Sequence, residues 1–331
     1  MRRLVALLLV ALGLTPGTWW RSPVPAADNR QIVSFTPLPQ PDLDLGPLRL
    51  AGAWQMRSAN EHFGSYSALA VLGDGVLLAA SDRGRMLRFS TPGARPSPVR
   101  LDFFAGREQR DKRRMDLEAL TRDPATGRIW VAFEVSNRIE RYDTGFRARA
   151  IVRPKAMRDW RAWFGAEAMV RLADGRFIVL AEGAARWFGS AMPGLLFPSD
   201  PVAGAGPERF VFVPPEGFRP VDLASLPDGR VLILLRNAGW GIVPAFSGKL
   251  MLADPATIRP GQPWRADLVA NLAAPLPTDN YEGLAVEPDG RGGAVLWLIS
   301  DDNQMTLQRT LLLKLLWPSN AKARGNARAP R

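Results

Sequence analysis

The chain of 331 residues is long enough for a full globular core, and its 47% hydrophobic and 23% charged residues exclude a wholly disordered protein. The absence of cysteine excludes a disulfide framework, a thiolate zinc site and a cysteine nucleophile. The net charge of +11 does not indicate nucleic-acid binding, because seven basic residues near the two ends account for all but +4 and no aromatic-basic motif accompanies the charge.

The first 27 residues have the pattern of a secretory signal peptide. Two arginines precede an apolar run of about 11 residues from Leu4 to Leu14, and a proline, a glycine and small residues follow it up to Ala27. The run is shorter than the roughly 20 residues of a membrane span, although two tryptophans beyond it leave an uncleaved anchor as the alternative. We therefore expect an exported protein, periplasmic or secreted, with a linker over residues 28–47, or a membrane-anchored protein that faces the periplasm.

Five similar segments repeat along the chain, at residues 65–82, 115–134, 165–182, 220–236 and 280–302. Each begins near a residue that is acidic in four copies, continues through small and apolar residues to a glycine turn, and ends in a run rich in valine, isoleucine and leucine. The aligned first positions recur at about 50 residues, the period of a propeller blade. They are Ser67, Glu118, Glu167, Asp222 and Glu282.

The glycine turns predict β-hairpins, since four of them are Asp-Gly pairs that supply the positive φ angles of tight turns. A helical solenoid is the competing repeat class, but the apolar runs are short and β-branched. We predict an all-β fold, a single β-propeller of five or six blades over residues 48–317, closed by an outer strand from residues 46–56. Residues 318–331 form a predicted basic disordered tail, either solvated or in contact with a membrane surface.

Acidic residues stand at both ends of these hairpins. Because the first strand begins where the second ends, we expect the two sets of carboxylates to lie side by side in a ring at one mouth of the propeller. Such a ring requires compensation by arginines, shared protons or a divalent cation, and calcium suits an all-oxygen ligand set. The alternative is a structural role, in which each acid accepts backbone N–H groups from a neighbouring blade. The predicted metal ligands are Glu118, Glu167, Asp222, Glu282 and Asp301.

Further candidate residues lie in the loops of the same mouth. Glu134 and Glu182 end second strands, and a carboxylate left off the metal would serve as general base. His62, the only histidine, is either a proton carrier or an ordinary loop residue. A serine hydrolase is disfavoured because no Gly-x-Ser-x-Gly elbow occurs in the chain. The arginines predicted to bind an anionic substrate are Arg83, Arg138, Arg186 and Arg236.

The repeats resemble the phytase-like family of bacterial exported proteins, which is also described by an esterase-like activity of phytase. The stretches that carry the resemblance are "MDLEAL…DPATGRIWVAFE", "GAEAM…ADGRFIVLAEG" and "DNYEGLAVEPDGRGGAVLWLISDDN". The resemblance implies a β-propeller, export, and a hydrolase of the phosphoester or carboxylester type. The related β-propeller phytases imply calcium as the metal.

Two functions follow from this pattern. The first is a metal-dependent hydrolase of a small anionic ester, and the second is a non-catalytic propeller whose mouth binds a ligand or a protein.

The aromatic stretch at residues 158–167 either packs between blades or forms an apolar wall beside the mouth. We expect a monomer that has no nucleic-acid partner.

Overall fold

The computed structural model describes residues 3–6, 8–9, 28–104, 115–161, 163–183, 190–239 and 245–319. Most of the predicted signal peptide, Arg186 and all but the first two residues of the predicted basic tail lie outside these ranges. In the described part of the chain, no helix combines the length and the apolar character that a bilayer-spanning segment needs.

The described residues form five sheets, which we name blades I to V in chain order. Blade I contains β3 (Tyr66–Gly73), β4 (Val76–Ser81), β5 (Arg85–Ser90) and β6 (Arg100–Phe103). Blade II contains β7 (Leu117–Arg122), β8 (Ile129–Phe133), β9 (Arg138–Tyr142) and β10 (Ala148–Val152). Blade III contains β11 (Ala166–Arg171), β12 (Phe177–Ala181), β13 (Met192–Phe197), β14 (Glu208–Phe212) and the short β18 (Pro263–Trp264).

Blades IV and V complete the set. Blade IV contains β15 (Arg219–Ser225), β16 (Val231–Gly239), β17 (Ala245–Ala253) and β19 (Asp267–Leu272). Blade V contains β20 (Asn280–Pro288), β21 (Ala294–Asp301) and β22 (Leu311–Trp317), followed at its outer edge by β2 (Arg49–Arg57) and β1 (Ser34–Pro37). Three short 3-10 turns lie outside the sheets, at Lys155–Met157, Pro201–Ala203 and Pro255–Thr257.

The first strand of every blade contacts the first strands of its two neighbours, so β3, β7, β11, β15 and β20 form a closed inner ring. The predicted propeller is thereby confirmed, and the number of blades is five. The predicted closing strand is confirmed as well, because β2 pairs antiparallel with β22 and brings the N-terminal part of the chain into the last blade. This pairing covers the edge that β22 would otherwise expose.

Apolar packing between blades holds the ring together. Five clusters of buried hydrophobic residues occur in the described chain, and each combines side chains from two neighbouring blades. The second strands show why, since "VLLAAS" in β4, "IWVAF" in β8 and "FIVLA" in β12 are buried along their whole length. A strand that lies between two blades buries both faces, and each large aliphatic side chain contributes about 1.5–3 kcal/mol of transfer free energy.

The hairpin turns lie at the end of the ring opposite to the strand entries. In blade I, Asp74 and Gly75 have φ angles of 53° and 70°, and Gly73 pairs directly with Val76. Two consecutive positive φ angles define the type I′ turn predicted from the Asp-Gly pair. The first strand of each blade therefore begins, and the second strand ends, at the end of the propeller that lies away from the turns. We call this end the axial mouth.

Candidate functional site

Each inner strand carries a β-bulge close to the axial mouth. In four blades the extra residue of the bulge is the residue at the first aligned position of the sequence repeat. A bulge leaves its extra residue out of the ladder and re-aims the side chain, and bulges recur at functional sites for this reason. The four residues are Ser67 in blade I, Glu118 in blade II, Glu167 in blade III and Glu282 in blade V.

Blade IV departs from the predicted alignment by one residue. Its bulge lies at Val221, whereas Asp222 stays in the ladder opposite Leu234. Asp222 is fully buried, and its two carboxylate oxygens accept the backbone N–H groups of Leu223 and of Leu284 in the neighbouring blade. The placement of Asp222 among the metal ligands is therefore corrected: a register shift points its side chain into the contact between blades IV and V, where it takes the structural role that we considered as the alternative.

The remaining acids converge at the axial mouth. Asp116, Glu118 and Glu134 offer carboxylate oxygens that all lie within 4.8 Å of one another, and Glu134, Glu167 and Glu182 form a second group of this kind. Glu134 belongs to both groups and is 7% exposed. Asp116 was not among the predicted site residues, although it precedes Glu118 by two positions in the same strand entry. Glu282 and Asp301 extend the set into blade V, and we call these seven acids the carboxylate ring.

Burial and mutual repulsion make the carboxylate ring reluctant to ionise. Burial, followed by the charges of Asp116 and Glu182, raises the pKa of Glu134 to about 8. Burial and then Glu167 raise the pKa of Glu118 well above its usual range, and burial and then Glu182 do the same for Glu167. Asp301 is shifted in the same direction by burial and by Glu282. These four carboxyl groups thus hold protons more readily than ordinary acids unless a cation replaces the protons.

Arg236 supplies the positive charge of the ring in the described residues of blade IV. Arg236 occupies the repeat position at which the other blades carry an acidic residue at or just after the end of the second strand. Its guanidinium donates to Glu182 Oε1 at 2.8 Å and to Glu282 Oε1. Burial opposes its charge, but Glu282, Glu182 and Glu167 raise the pKa of Arg236 above its ordinary value. Arg219 adds a longer contact of 3.6 Å to Glu182, and two guanidinium groups cannot balance seven acids, so the ring retains an excess of acceptor oxygens.

The other predicted substrate-binding residues in the described chain, Arg83 and Arg138, pair with acids outside the seven of the carboxylate ring. Arg138 donates to Glu140 Oε1 at 2.5 Å and stacks over Phe133, so its charge is used within blade II. Arg83 lies 4.0 Å from Asp82 and remains half-exposed. Arg186 lies outside the described residues.

His62 does not join the carboxylate ring either. Its imidazole packs against Phe103 with ring centroids 4.5 Å apart, and Phe103 ends β6, the outermost strand of blade I. Two strands separate β6 from the inner ring. The loop that precedes β3 in sequence therefore carries His62 to the outer edge of blade I. This position does not support the predicted role of His62 as a proton carrier at the mouth.

A cleft of 1260 Å³ between blades III and IV opens beside the carboxylate ring. Two residues connect the cleft with the ring: Glu182 is a member of the ring and also lines the cleft, and Arg236, which donates to Glu182, lines the cleft as well. Phe164 and Trp160 line the cleft, and Trp160 also belongs to the buried cluster between blades II and III, so the aromatic stretch combines packing between blades with an apolar wall beside the mouth.

Comparisons with known proteins agree with the repeats. A family model with the description "Phytase-like: Esterase-like activity of phytase" matches residues 61–304. A comparison with curated proteins gives no significant match. The range that the family model matches includes all seven members of the carboxylate ring.

Several solved structures share the general architecture. Myxococcus xanthus glutaminyl cyclase is 12% identical at a TM-score of 0.47, covering 81% of this chain and 96% of that one. The PQQ-bound aldose sugar dehydrogenase from Streptomyces coelicolor is 15% identical at a TM-score of 0.42, covering 76% and 94%. Kuenenia stuttgartiensis hydrazine synthase is 12% identical at a TM-score of 0.40, and the match covers 76% of this chain and only 62% of that chain.

Similarities at this level carry no argument about activity. The family model, in contrast, covers well over half of the chain and includes the β-bulges of all five inner strands. The chain therefore belongs to the phytase-like family, described by esterase-like activity of phytase.

Proposed function

We propose that the protein is an exported hydrolase that cleaves a phosphoester or carboxylester of a small anionic molecule at its axial mouth, with the help of a divalent cation. The observation that carries the proposal is the position of Glu134, which is shared by two groups of carboxylates whose oxygens lie within 4.8 Å. Membership of the phytase-like family supports an ester bond as the target.

The chemistry of the donors fits calcium. All the ligand atoms in the two groups are carboxylate oxygens, and the described residues place no histidine among them. Hard oxygen donors in irregular arrangements suit calcium, which accepts 6 to 8 of them. Asp116, Glu118 and Glu134 would hold the cation, which would polarise an ester oxygen and offset negative charge that develops on it.

The chain's own residues then position and deprotonate the water. Glu182 lies where the ring meets the cleft, and Arg236 holds one of its oxygens at 2.8 Å while Arg219 lies 3.6 Å from the other. Glu182 accepts a proton from the water as the water oxygen bonds to the carbon or phosphorus of the ester. The bond to the leaving alkoxide breaks, and the alkoxide takes up a proton, so the products are an acid and an alcohol.

Turnover of p-nitrophenyl phosphate and p-nitrophenyl acetate, with calcium or with EDTA, tests the proposal. We expect calcium-dependent release of p-nitrophenol that Glu134→Gln and Glu118→Gln reduce by about 10²-fold or more. Glu287→Gln is the matched control, because Glu287 lies on the same inner strand as Glu282 but at its other end.

The same experiment separates the second function. If neither ester is cleaved above background while calcium still raises the melting temperature of the wild type but not of Glu134→Gln, the mouth is a cation-stabilised binding site without catalysis. If calcium changes neither turnover nor melting temperature, the proposed cation site is wrong.

A further inference from the structure

The cleft between blades III and IV is larger than the ester bond requires. Its 1260 Å³ exceeds the roughly 300–1,000 Å³ of typical small-molecule pockets, so a ligand as small as p-nitrophenyl acetate would leave most of it unfilled. The cleft is continuous with the carboxylate ring through Glu182 and Arg236. A substrate whose ester bond lies at Glu182 would therefore extend along this cleft.

The cleft walls are chiefly apolar. Side chains of Phe164, Phe218 and Leu195 line it together with a proline and a glycine of β13 and with prolines and a glycine of the loop after β14. Apolar walls with a few placed polar groups are characteristic of sites for organic ligands, because burial of the ligand body supplies affinity and the polar groups fix its orientation. The wall composition favours a ligand body made of rings or methylene groups.

Four arginines line the cleft, namely Arg161, Arg209, Arg219 and Arg236, and Arg219 is the one whose guanidinium lies both beside Glu182 and over an aromatic side chain of the wall. Its side chain is 47% exposed, and its guanidinium lies over the ring of Phe164 at 5.2 Å. Within the described part of the chain it pairs with Glu182 at 3.6 Å, which is longer than a direct charge-assisted hydrogen bond. The stacked, loosely paired guanidinium keeps donors directed toward the open cleft.

We propose that this cleft binds the part of the substrate that lies away from the scissile ester bond, and that this part has an apolar, ring-sized or short-chain body ending in an anionic group paired with Arg219. The inference rests on the proposed function for the position of the ester bond. It adds a substrate class: esters with a second, carboxylate-like anion several bonds from the reacting centre.

Two matched esters test the inference through turnover. The mono-p-nitrophenyl ester of adipic acid and p-nitrophenyl hexanoate have acyl chains of equal length, but only the first ends in a carboxylate. We expect the wild type to prefer the anionic ester by about tenfold in kcat/KM, and Arg219→Ala to lose that preference. Ala238→Trp, at the exposed cleft end of β16, lowers kcat/KM for both long esters more than for p-nitrophenyl acetate.

Arg176→Ala is the control for the loss of an arginine, because Arg176 pairs with Asp174 in a hairpin turn at the opposite end of the propeller. It retains the wild-type preference. Thermal unfolding of each variant confirms that the fold is kept. Equal kcat/KM for the two esters in the wild type, or an undiminished preference in Arg219→Ala, overturns the inference even where esters are cleaved.

A binding measurement separates this inference from the proposed function. Calorimetric titration with 4-phenylbutyrate, which has a ring and a carboxylate but no ester, requires no turnover. If no ester is hydrolysed but 4-phenylbutyrate binds the wild type about tenfold more tightly than Arg219→Ala, the cleft assignment stands and the hydrolase proposal fails. If 4-phenylbutyrate binds neither protein, the cleft assignment fails.

Discussion

The metal-free protein is expected to lose stability as the pH rises from about 5.5 to 9, and Glu134 is the residue through which this is best tested. Its pKa is raised from 4.5 to about 8, first by burial and then by the charge of Asp116. A carboxyl group whose pKa is higher in the folded than in the unfolded state stabilises the fold fully below the unfolded value. This contribution is lost as the pH rises through the folded value.

The size of the loss follows from the two pKa values. At about 1.36 kcal/mol for each pH unit between 4.5 and about 8, the limit is about 5 kcal/mol. Asp116 hydrogen-bonds to Glu134, so the two carboxyl groups titrate together and we expect about 2 kcal/mol to be attributable to Glu134. For a chain of this length that corresponds to a change in Tm of about 3 °C.

Thermal unfolding followed by circular dichroism measures this loss, with EDTA-treated wild type, Glu134→Gln and the control Glu287→Gln between pH 5.5 and 9. Gln keeps the size of the side chain and its acceptor for the backbone N–H of Gly165, so the variant removes the titration rather than the packing. We expect a smaller pH dependence in Glu134→Gln and a wild-type one in Glu287→Gln. Calcium at pH 9 restores the stability of the wild type, since it binds the ionised carboxylates.

A metal-free wild type that is as stable at pH 9 as at pH 5.5 would refute the reasoning. So would a Glu134→Gln variant that retains the whole loss, because the repulsion would then lie elsewhere in the ring. The carboxylates with lowered pKa do not interfere, since they stay ionised throughout this pH window.

Three further predictions concern the fold and the ring. Asp222→Ala leaves two buried N–H groups without their acceptor and lowers the free energy of unfolding by about 2–4 kcal/mol in urea, while calcium affinity measured by titration stays at the wild-type value. Arg236→Ala removes the guanidinium between two buried carboxylates and costs about 3–5 kcal/mol at pH 7.5, with a smaller loss at pH 5.5; an equal loss at both pH values would contradict this assignment. A chain that starts at Ser58 lacks β1 and β2 and exposes the apolar edge of β22, so size-exclusion chromatography shows aggregates instead of a monomer, and a peptide spanning residues 34–57 reverses this.

The sequence was sufficient for the architecture because its signals are local. The spacing near 50 residues, the Asp-Gly turns and the short apolar runs each arise within one blade, and together they predict hairpins that repeat around an axis. The closing strand was also predictable, since a propeller has to cover its last edge.

The details of the site depended on register, which the sequence does not reveal. In blade IV Asp222 aligns in sequence with the glutamates of the other blades, but the extra residue of the bulge is Val221. The side chain of Asp222 therefore lies in the contact between blades IV and V. A shift of one residue changes the face to which a strand side chain points, and nothing in the local pattern shows where the extra residue lies.

Two other residues illustrate signals that sequence reasoning left unused. Arg138 pairs with Glu140, which lies two positions further along β9 and therefore on the same face of the strand. Asp116 stands two positions before Glu118, and the same reasoning would have placed it near the ring. His62 offered no comparable signal, because the direction of a loop between strands is set by the packing it meets, here Phe103.

The pairing of β2 with β22 also governs when the molecule can become whole. β2 is synthesised before the five inner strands and its partner β22 after them, so the last blade stays incomplete while the intervening strands are made. Throughout that time β2 can pair only with β1, and its contact with β22 joins strands that are far apart in sequence. A message truncated before Leu311 therefore leaves β21 with an exposed edge and β2 without its partner strand.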